Sequence, residues 1–164
     1  MILVDSSSWI HFLRPNGDPA VRARVESALT AGEACWCPLV RLELWNGAAG
    51  ERDRKILRDF ESVLPELSID DEVWAAADAL ARRARSSGVS VPATDILIAA
   101  CARRHGAELE TADLDFELLA AVMPIEMHTP EQIAEFAREA EVDADTRAAA
   151  AQVARASVRP DCGR

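Results

Sequence analysis

Residues 91–102, Val-Pro-Ala-Thr-Asp-Ile-Leu-Ile-Ala-Ala-Cys-Ala, constrain the fold of this chain more than any other stretch, because they are typical of a helix that is apolar on nearly every side. A helix of this kind is buried in the core of a domain. Pro92 suits its first turn and Gly106 suits its end, and the basic residues just before Gly106 lie where the helix dipole favours positive charge. The rest of the chain must enclose this helix.

Asp95 is the one carboxylate inside that apolar run. Burying an unpaired carboxylate costs a large amount of free energy. Asp95 should therefore cap the helix, pair with a cation or coordinate a metal ion. The helix by itself does not decide among these roles.

The length and composition indicate one globular domain. The chain has 164 residues, of which 49% are hydrophobic, which is enough for one substantial core and too few for two. No stretch approaches the roughly 20 apolar residues of a membrane span, and no basic leader precedes the apolar residues 2–4. The four cysteines lack Cys-x-x-Cys spacing, which favours reduced thiols over zinc or disulfide sites. We therefore expect a cytoplasmic protein with no membrane contact.

The charge balance restricts the chemistry. A net charge of −10 argues against nucleic-acid binding by a broad basic surface, but it permits contact through a bound metal ion. Lys55 is the only lysine among the 18 basic residues and falls on a charged helix, so mechanisms that need a buried lysine are nearly excluded.

Strand and helix patterns alternate along the chain. Strands are predicted at residues 2–4, 34–37, 67–69, 107–111 and 124–127, with amphipathic helices between them. Ser7 or Ser8 should cap the first helix, and Trp74 should lie on the apolar stripe of the helix that follows Asp70. This alternation predicts an α/β fold, with a small parallel β-sheet flanked by helices. Two further helices are predicted at residues 131–141 and 145–156, and we expect them to form a C-terminal helical extension.

Acidic side chains should converge at one edge of this sheet. Asp5 and Asp113 directly follow predicted strands, and ligands of parallel sheets bind at the carboxyl ends of the strands. Asp95, in the first turn of its helix, should face the same edge, and Glu43 can reach it with its longer side chain. Thr111 and Asp115 lie alongside.

Carboxylates without neighbouring Lys, Cys or His select hard divalent cations, chiefly Mg²⁺ or Mn²⁺. The chemistry expected of such a site is metal-assisted attack of water on a phosphoester. Two plainer interpretations remain open. A chain with 28 acidic residues shows acid pairs by chance, and Glu43 could simply face solvent between apolar neighbours.

The order and surroundings of these acids resemble those of the PIN-domain ribonucleases, particularly the VapC-type toxins. The resemblance covers residues 1–127, which we assign as a PIN-like nuclease domain, with residues 128–164 as the extension. It is carried by four motifs: Val4-Asp5-Ser6-Ser7 followed by Trp9-Ile10; Leu42-Glu43-Leu44-Trp45-Asn46-Gly47; Thr94-Asp95-Ile96-Leu97-Ile98-Ala99-Ala100; and Thr111-Ala112-Asp113-Leu114-Asp115-Phe116.

This resemblance implies endonucleolytic cleavage of RNA that depends on magnesium or manganese. It also implies inhibition by a cognate antitoxin protein and, usually, a homodimer. By matching position, the metal-binding catalytic acids would be Asp5, Glu43, Asp95 and Asp113. The supporting residues would be Asp115, Ser6, Ser7 and Thr111.

Two features depart from the family pattern. Glu110 stands where such proteins commonly carry an apolar residue, and with Glu108 it makes an acidic strand that could alter strand pairing or partner contacts. The chain also continues for more than 30 residues beyond the usual end of the domain, and these residues could cover a dimer surface, guard the RNA groove or bind a partner.

Three other functions fit the sequence less well. A phosphate-receiver domain would need a lysine after a late strand, where this chain has none, and an aspartyl phosphatase would need Asp-x-Asp where this chain has Asp5-Ser6-Ser7. A catalytically silent PIN-like protein-binding module should show a degraded acid set, whereas all four acid positions here are carboxylates. The endoribonuclease is the favoured interpretation.

Overall fold

The computed structural model describes residues 1–125 and Met127. Within them the chain forms three strands and seven helices. The strands are β1 (Ile2–Val4), β2 (Ala34–Cys35) and β3 (Glu108–Glu110). The helices are α1 (Ser6–Leu13), α2 (Pro19–Ala31), α3 (Pro38–Gly47), α4 (Glu51–Glu61), α5 (Asp71–Ser86), α6 (Ala93–His105) and α7 (Asp115–Val122). The helices predicted at residues 131–141 and 145–156 lie outside the described part.

The sheet is parallel throughout, with β1 between β2 and β3. Leu3 lies opposite Cys35 on one side and Leu109 on the other. Successive strand residues point to opposite faces, yet Ile2, Leu3 and Val4 are all buried. Both faces of the sheet are therefore covered, as in other parallel sheets. The predicted α/β class is confirmed.

Two of the predicted strands are not formed, and an isolated β-bridge lies at or beside each of them. The strand expected at residues 67–69 is absent, and Glu66 instead forms one parallel bridge with Trp36. This pairing cannot lengthen, because Pro38 has no amide hydrogen and already begins α3. The same proline shortens the strand expected at 34–37 to β2. The strand expected at 124–127 likewise appears as a bridge between Met127 and Leu109.

Two helix predictions also need correction. The first helix is capped by Asp5, not by Ser7 or Ser8, and Ser7 donates its backbone N–H to the Asp5 carboxylate. Trp74 is 55% exposed, although it was expected on the apolar stripe of α5. The buried row of that helix is Val73, Ala77, Leu80 and Ala84, and Trp74 lies about 100° around the helix from its neighbour Val73.

Helix α6 is the buried helix that the apolar run predicts. Its residues 97–102 are all buried, and Gly106 ends it in the left-handed conformation with φ 61°. Helix α5 packs along α6. On the other side of the core, the ring of Phe60 contacts those of Trp9 and Trp36, with centroids 4.9 and 6.4 Å away. Among residues 1–125 and Met127, no helix has both the length and the apolar content needed to cross a membrane.

Candidate metal centre

Asp5 is the most rigidly held acid at the carboxyl edge of the sheet. Its backbone N–H donates to the carbonyl of Glu110 at 2.9 Å, which continues the pairing of β1 with β3. Its side chain is only 3% exposed. One oxygen, Oδ2, accepts the Ser7 N–H at 3.0 Å, the Ser7 hydroxyl at 2.6 Å and the Thr111 hydroxyl at 3.3 Å. Because all three donors meet Oδ2, the other oxygen of Asp5 is left for a further ligand.

The loop after β3 is tied to Asp5 through the same two hydroxyl groups. The Ser7 hydroxyl accepts the N–H of Ala112 at 3.0 Å, and the Thr111 hydroxyl accepts the N–H of Asp113 at 3.0 Å. Asp113 in turn accepts the N–H of Asp115 at 2.9 Å, where α7 begins. Ser7 and Thr111 thus connect the end of β1 to the acidic loop.

Three carboxylates meet at this loop. Asp95, Asp113 and Asp115 each offer an oxygen, and these oxygens all lie within 4.8 Å of one another. Asp95 does not cap α6, because Pro92 holds the cap position without a side-chain hydrogen bond. Nor does Asp95 form a salt bridge with any cation in the described part of the chain. Its hydrogen-bond donor is the Thr94 hydroxyl at 3.1 Å. Capping of α6 and pairing with a cation are thus not observed in the described residues, and metal coordination by Asp95 stays a prediction.

The electrostatics of the site show that the acids share one environment. Burial raises the pKa of Asp95 to about 6, and the charges of Asp113, Asp5 and Asp115 act in the same direction against the opposing hydrogen bond from Thr94. Burial also raises the pKa of Glu43, helped by the charge of Asp5 and opposed by a hydrogen bond with Ser6.

The arrangement differs in one respect from the expected set of four. Asp115, expected only in support, belongs to the close group with Asp95 and Asp113. Asp5 acts on Asp95 from outside that group, and Glu43 interacts with Asp5. The spacing Asp113-Leu114-Asp115 was a signal for this, since Asp113 accepts the N–H of Asp115 and both acids lie at the start of α7. The assignment of all these residues to catalysis remains a prediction.

The donor set fits a hard divalent cation. All the converging groups are carboxylate oxygens, with hydroxyl groups behind them, and magnesium, calcium and manganese prefer such ligands. The cation would also offset the burial and the charge repulsion that raise the pKa of Asp95. These residues are therefore chemically suited to hold a divalent metal ion.

Known proteins are similar to this chain in sequence and in fold. The family model described as PIN domain matches residues 2–122. Ribonuclease VapC11 of Mycobacterium tuberculosis is 34% identical over 125 residues, which cover 74% of this chain and 93% of that relative. The chain therefore belongs to the PIN-domain family and, within it, to the VapC ribonucleases. The family resemblance inferred from the motifs is confirmed.

Solved structures agree with this fold. The crystal structure of VapBC2 from Rickettsia felis bound to a DNA fragment from their promoter covers 78% of this chain and 98% of its own, with a TM-score of 0.65 and 18% identity. DNA-bound VapBC from Salmonella typhimurium covers 77% of this chain and 96% of its own, with a TM-score of 0.65 and 23% identity. Both likenesses concern the fold alone.

Proposed function

We propose that this protein is a toxin-type endoribonuclease that hydrolyses RNA phosphodiester bonds with Mg²⁺ or Mn²⁺. Its metal-binding acids would be Asp5, Glu43, Asp95 and Asp113, with Asp115 added to the group. The observation that carries the proposal is the convergence of Asp95, Asp113 and Asp115 beside the buried Asp5. The name of the relative VapC11, a ribonuclease, supports RNA as the substrate.

In this proposal, some residues bind the cation and others orient the binding residues. Asp95 and Asp113 bind the cation, while Ser7 and Thr111 hold Asp5 in a fixed orientation next to them. Ser6 orients Glu43 toward Asp5. When bound, the divalent ion supplies Lewis acidity, which lowers the pKa of water and neutralises charge on phosphate oxygens.

The test is RNA cleavage by the purified full-length chain, freed of any partner. Cleavage should require Mg²⁺ or Mn²⁺ and cease with excess EDTA. Asp5→Asn, Asp95→Asn and Asp113→Asn should each lower the rate by roughly a hundredfold or more while circular dichroism shows an intact fold, because each removes a charged ligand. Asp59→Asn is the matched control, since Asp59 pairs with Lys55 on the surface of α4. Cleavage that survives EDTA, or a fully active Asp95→Asn protein, would refute the assignment.

We further propose a cognate antitoxin that blocks the acids with one Arg or Lys side chain. A cleft of about 150 Å³ beside Glu43 could receive an apolar segment of that partner. Its apolar lining comes chiefly from Ile10, Leu13, Leu44, Ile56 and Leu57. A structure of the complex should show a basic side chain on the carboxylates; acids left open to solvent would contradict this.

The domain division and the oligomeric state also remain proposals. Residues 1–127 would form the nuclease domain, and residues 128–164 would form an extension that the chemistry does not need. A chain truncated after Met127 should then retain metal-dependent cleavage, and an inactive but folded truncation would place the extension in the active unit.

Light scattering of the full-length chain should give the mass of a homodimer, and a monomer mass would rule the homodimer out.

A further inference from the structure

Three arginines form a cluster of exposed basic residues at the end of α5. Arg82, Arg83 and Arg85, which we call the arginine end, are all exposed. Within residues 1–125 and Met127, none of their guanidinium groups has a hydrogen-bond or ion-pair partner. Several other arginines of the chain are paired with glutamates, namely Arg24 with Glu110, Arg41 with Glu66, Arg58 with Glu51 and Arg104 with Glu72. The arginine end therefore has cations available for a ligand.

The packing of α5 against α6 locates this group. Arg104, near the end of α6, pairs with Glu72 in the first turn of α5. Further along, Leu80 and Ala100 line one groove between the two helices. The helices are therefore antiparallel, and residues 87–92 alone connect them. Each residue adds about 1.5 Å along a helix axis. Measured along that axis, the last turn of α5 therefore lies beside the first turn of α6, to within about one helical turn. That first turn carries Asp95.

The charge at this position is unusual for the chain. The protein has a net charge of −10, yet the second half of α5, residues 79–86, carries no acid. Its three arginines leave a local positive surface on the helix that packs against the one carrying Asp95. A guanidinium group binds phosphate with two parallel hydrogen bonds, and phosphate neutralisation supplies much of the affinity for nucleic acid.

We propose that Arg82, Arg83 and Arg85 bind phosphates of the RNA strand that flank the cleaved bond, and so position the strand over Asp95, Asp113 and Asp115. This proposal rests on the proposed ribonuclease function. The arginines act on substrate binding, and the carboxylates act on the chemical step. Loss of the arginines should therefore raise KM and leave kcat nearly unchanged.

The experiment compares two double variants of the full-length protein. Arg82→Gln/Arg83→Gln removes two charges level with Asp95, and Arg103→Gln/Arg104→Gln removes two from the opposite end of the same helix pair, about 14 Å further along α6. Cleavage of a single-stranded RNA is measured for both, with thermal unfolding as the check on folding. Binding of the same fluorescent RNA is measured by anisotropy, with Mg²⁺ present, after Asp113→Asn is added to each protein.

We expect Arg82→Gln/Arg83→Gln to raise KM and the dissociation constant for RNA roughly tenfold. It should also lower the steepness of log affinity against log salt concentration by about 1.4, because each phosphate contact to a single strand contributes about 0.7. The triple variant with Arg85→Gln should lower the slope by about 2. The control variant should change neither quantity.

The two proposals can fail separately. If the first variant resembles the control in KM and in salt slope, the phosphate-binding role is wrong, even if the protein cleaves RNA. If it weakens binding of a partner protein but not of RNA, the arginine end is a protein-docking surface, and the role is again wrong. If RNA binding depends on the arginines but the wild-type protein cleaves no RNA in either metal, the phosphate site stands and the nuclease function falls.

Discussion

Glu110 is a buried acid at the carboxyl end of β3, and two partners explain how the fold accommodates it. Its side chain is 1% exposed, and its two oxygens accept the Arg24 Nε–H at 2.9 and 3.1 Å and the Ser8 hydroxyl at 3.1 Å. Strand pairing is not disturbed, because β3 pairs with β1 through all three residues. The departure from the expected apolar residue is thus compensated by an ion pair between α2 and β3.

A double-mutant cycle should show that this pair acts as a unit. Arg24→Met leaves the buried Glu110 without its cation and should cost about 3–5 kcal/mol of unfolding free energy. The double variant Arg24→Met/Glu110→Leu removes the buried charge as well, so it should be more stable than Arg24→Met alone. Urea unfolding of the two single variants and the double variant measures the coupling. Strictly additive effects would mean that Arg24 and Glu110 contribute independently.

The connection between α1 and α2 shows how closely neighbouring elements are joined. Asp18 caps α2 by accepting the N–H groups of Ala20 and Val21 at 2.8 and 3.1 Å, and its own N–H donates to the His11 ring at 3.0 Å. Hydrogen bonds from Val21 and Ala20 hold the pKa of Asp18 below its usual value. The turn brings Gly17 so close to α1 that a Cβ atom there would lie 1.7 Å from the carbonyl oxygen of His11.

Two glycine substitutions should therefore have opposite effects on stability. Gly17→Ala must displace backbone and should cost about 2 kcal/mol or more. Gly47→Ala, in α3, meets no atom within 4 Å and should stabilise the protein by roughly 0.5–1 kcal/mol, because alanine is a better helix residue. Thermal unfolding should separate the two variants by several degrees. A Gly17→Ala protein as stable as wild type would show that this turn relaxes without cost.

At the scale of the whole molecule, the acidic site couples folding to metal binding and to pH. The folded pKa of Asp95 lies above the usual value for aspartate, so its charge destabilises the metal-free protein near pH 7. This destabilisation should be relieved as the pH falls through about 6 toward the ordinary pKa of about 4. Because Asp95 is only partly buried, solvent screening reduces the effect to about 1 kcal/mol.

Thermal unfolding during a manganese titration tests this coupling. At pH 7 without metal, Asp95→Asn should melt about 2–4 °C above wild type, because a partly buried charge and its repulsion with the neighbouring acids are removed. Wild type should gain about 2.7 kcal/mol when the metal reaches a hundred times its dissociation constant, since the cation binds the folded state. Asp95→Asn should gain less, and Asp59→Asn should behave as wild type. Equal gains by wild type and Asp95→Asn would exclude Asp95 as a ligand.

The sequence determined the features that depend on neighbouring residues. The buried helix α6, the α/β class and the common edge of Asp5, Asp95 and Asp113 all follow from local periodicity, turn residues and strand order. These signals are readable because helix periodicity and the capping preferences of proline and glycine operate within a few positions of the chain.

The tertiary structure alone decided what depends on residues far apart in the chain. The strand expected at 67–69 is replaced by one bridge at Glu66. The pairing ends there because its partner segment reaches Pro38, a residue about 30 positions earlier in the chain. The ion pair between Arg24 and Glu110 joins residues 86 positions apart. The arginine end lies at the same position along the helix pair as Asp95 only because α5 and α6 are antiparallel. Strand pairing and side-chain contacts of this kind are set by three-dimensional packing, which local sequence patterns do not encode.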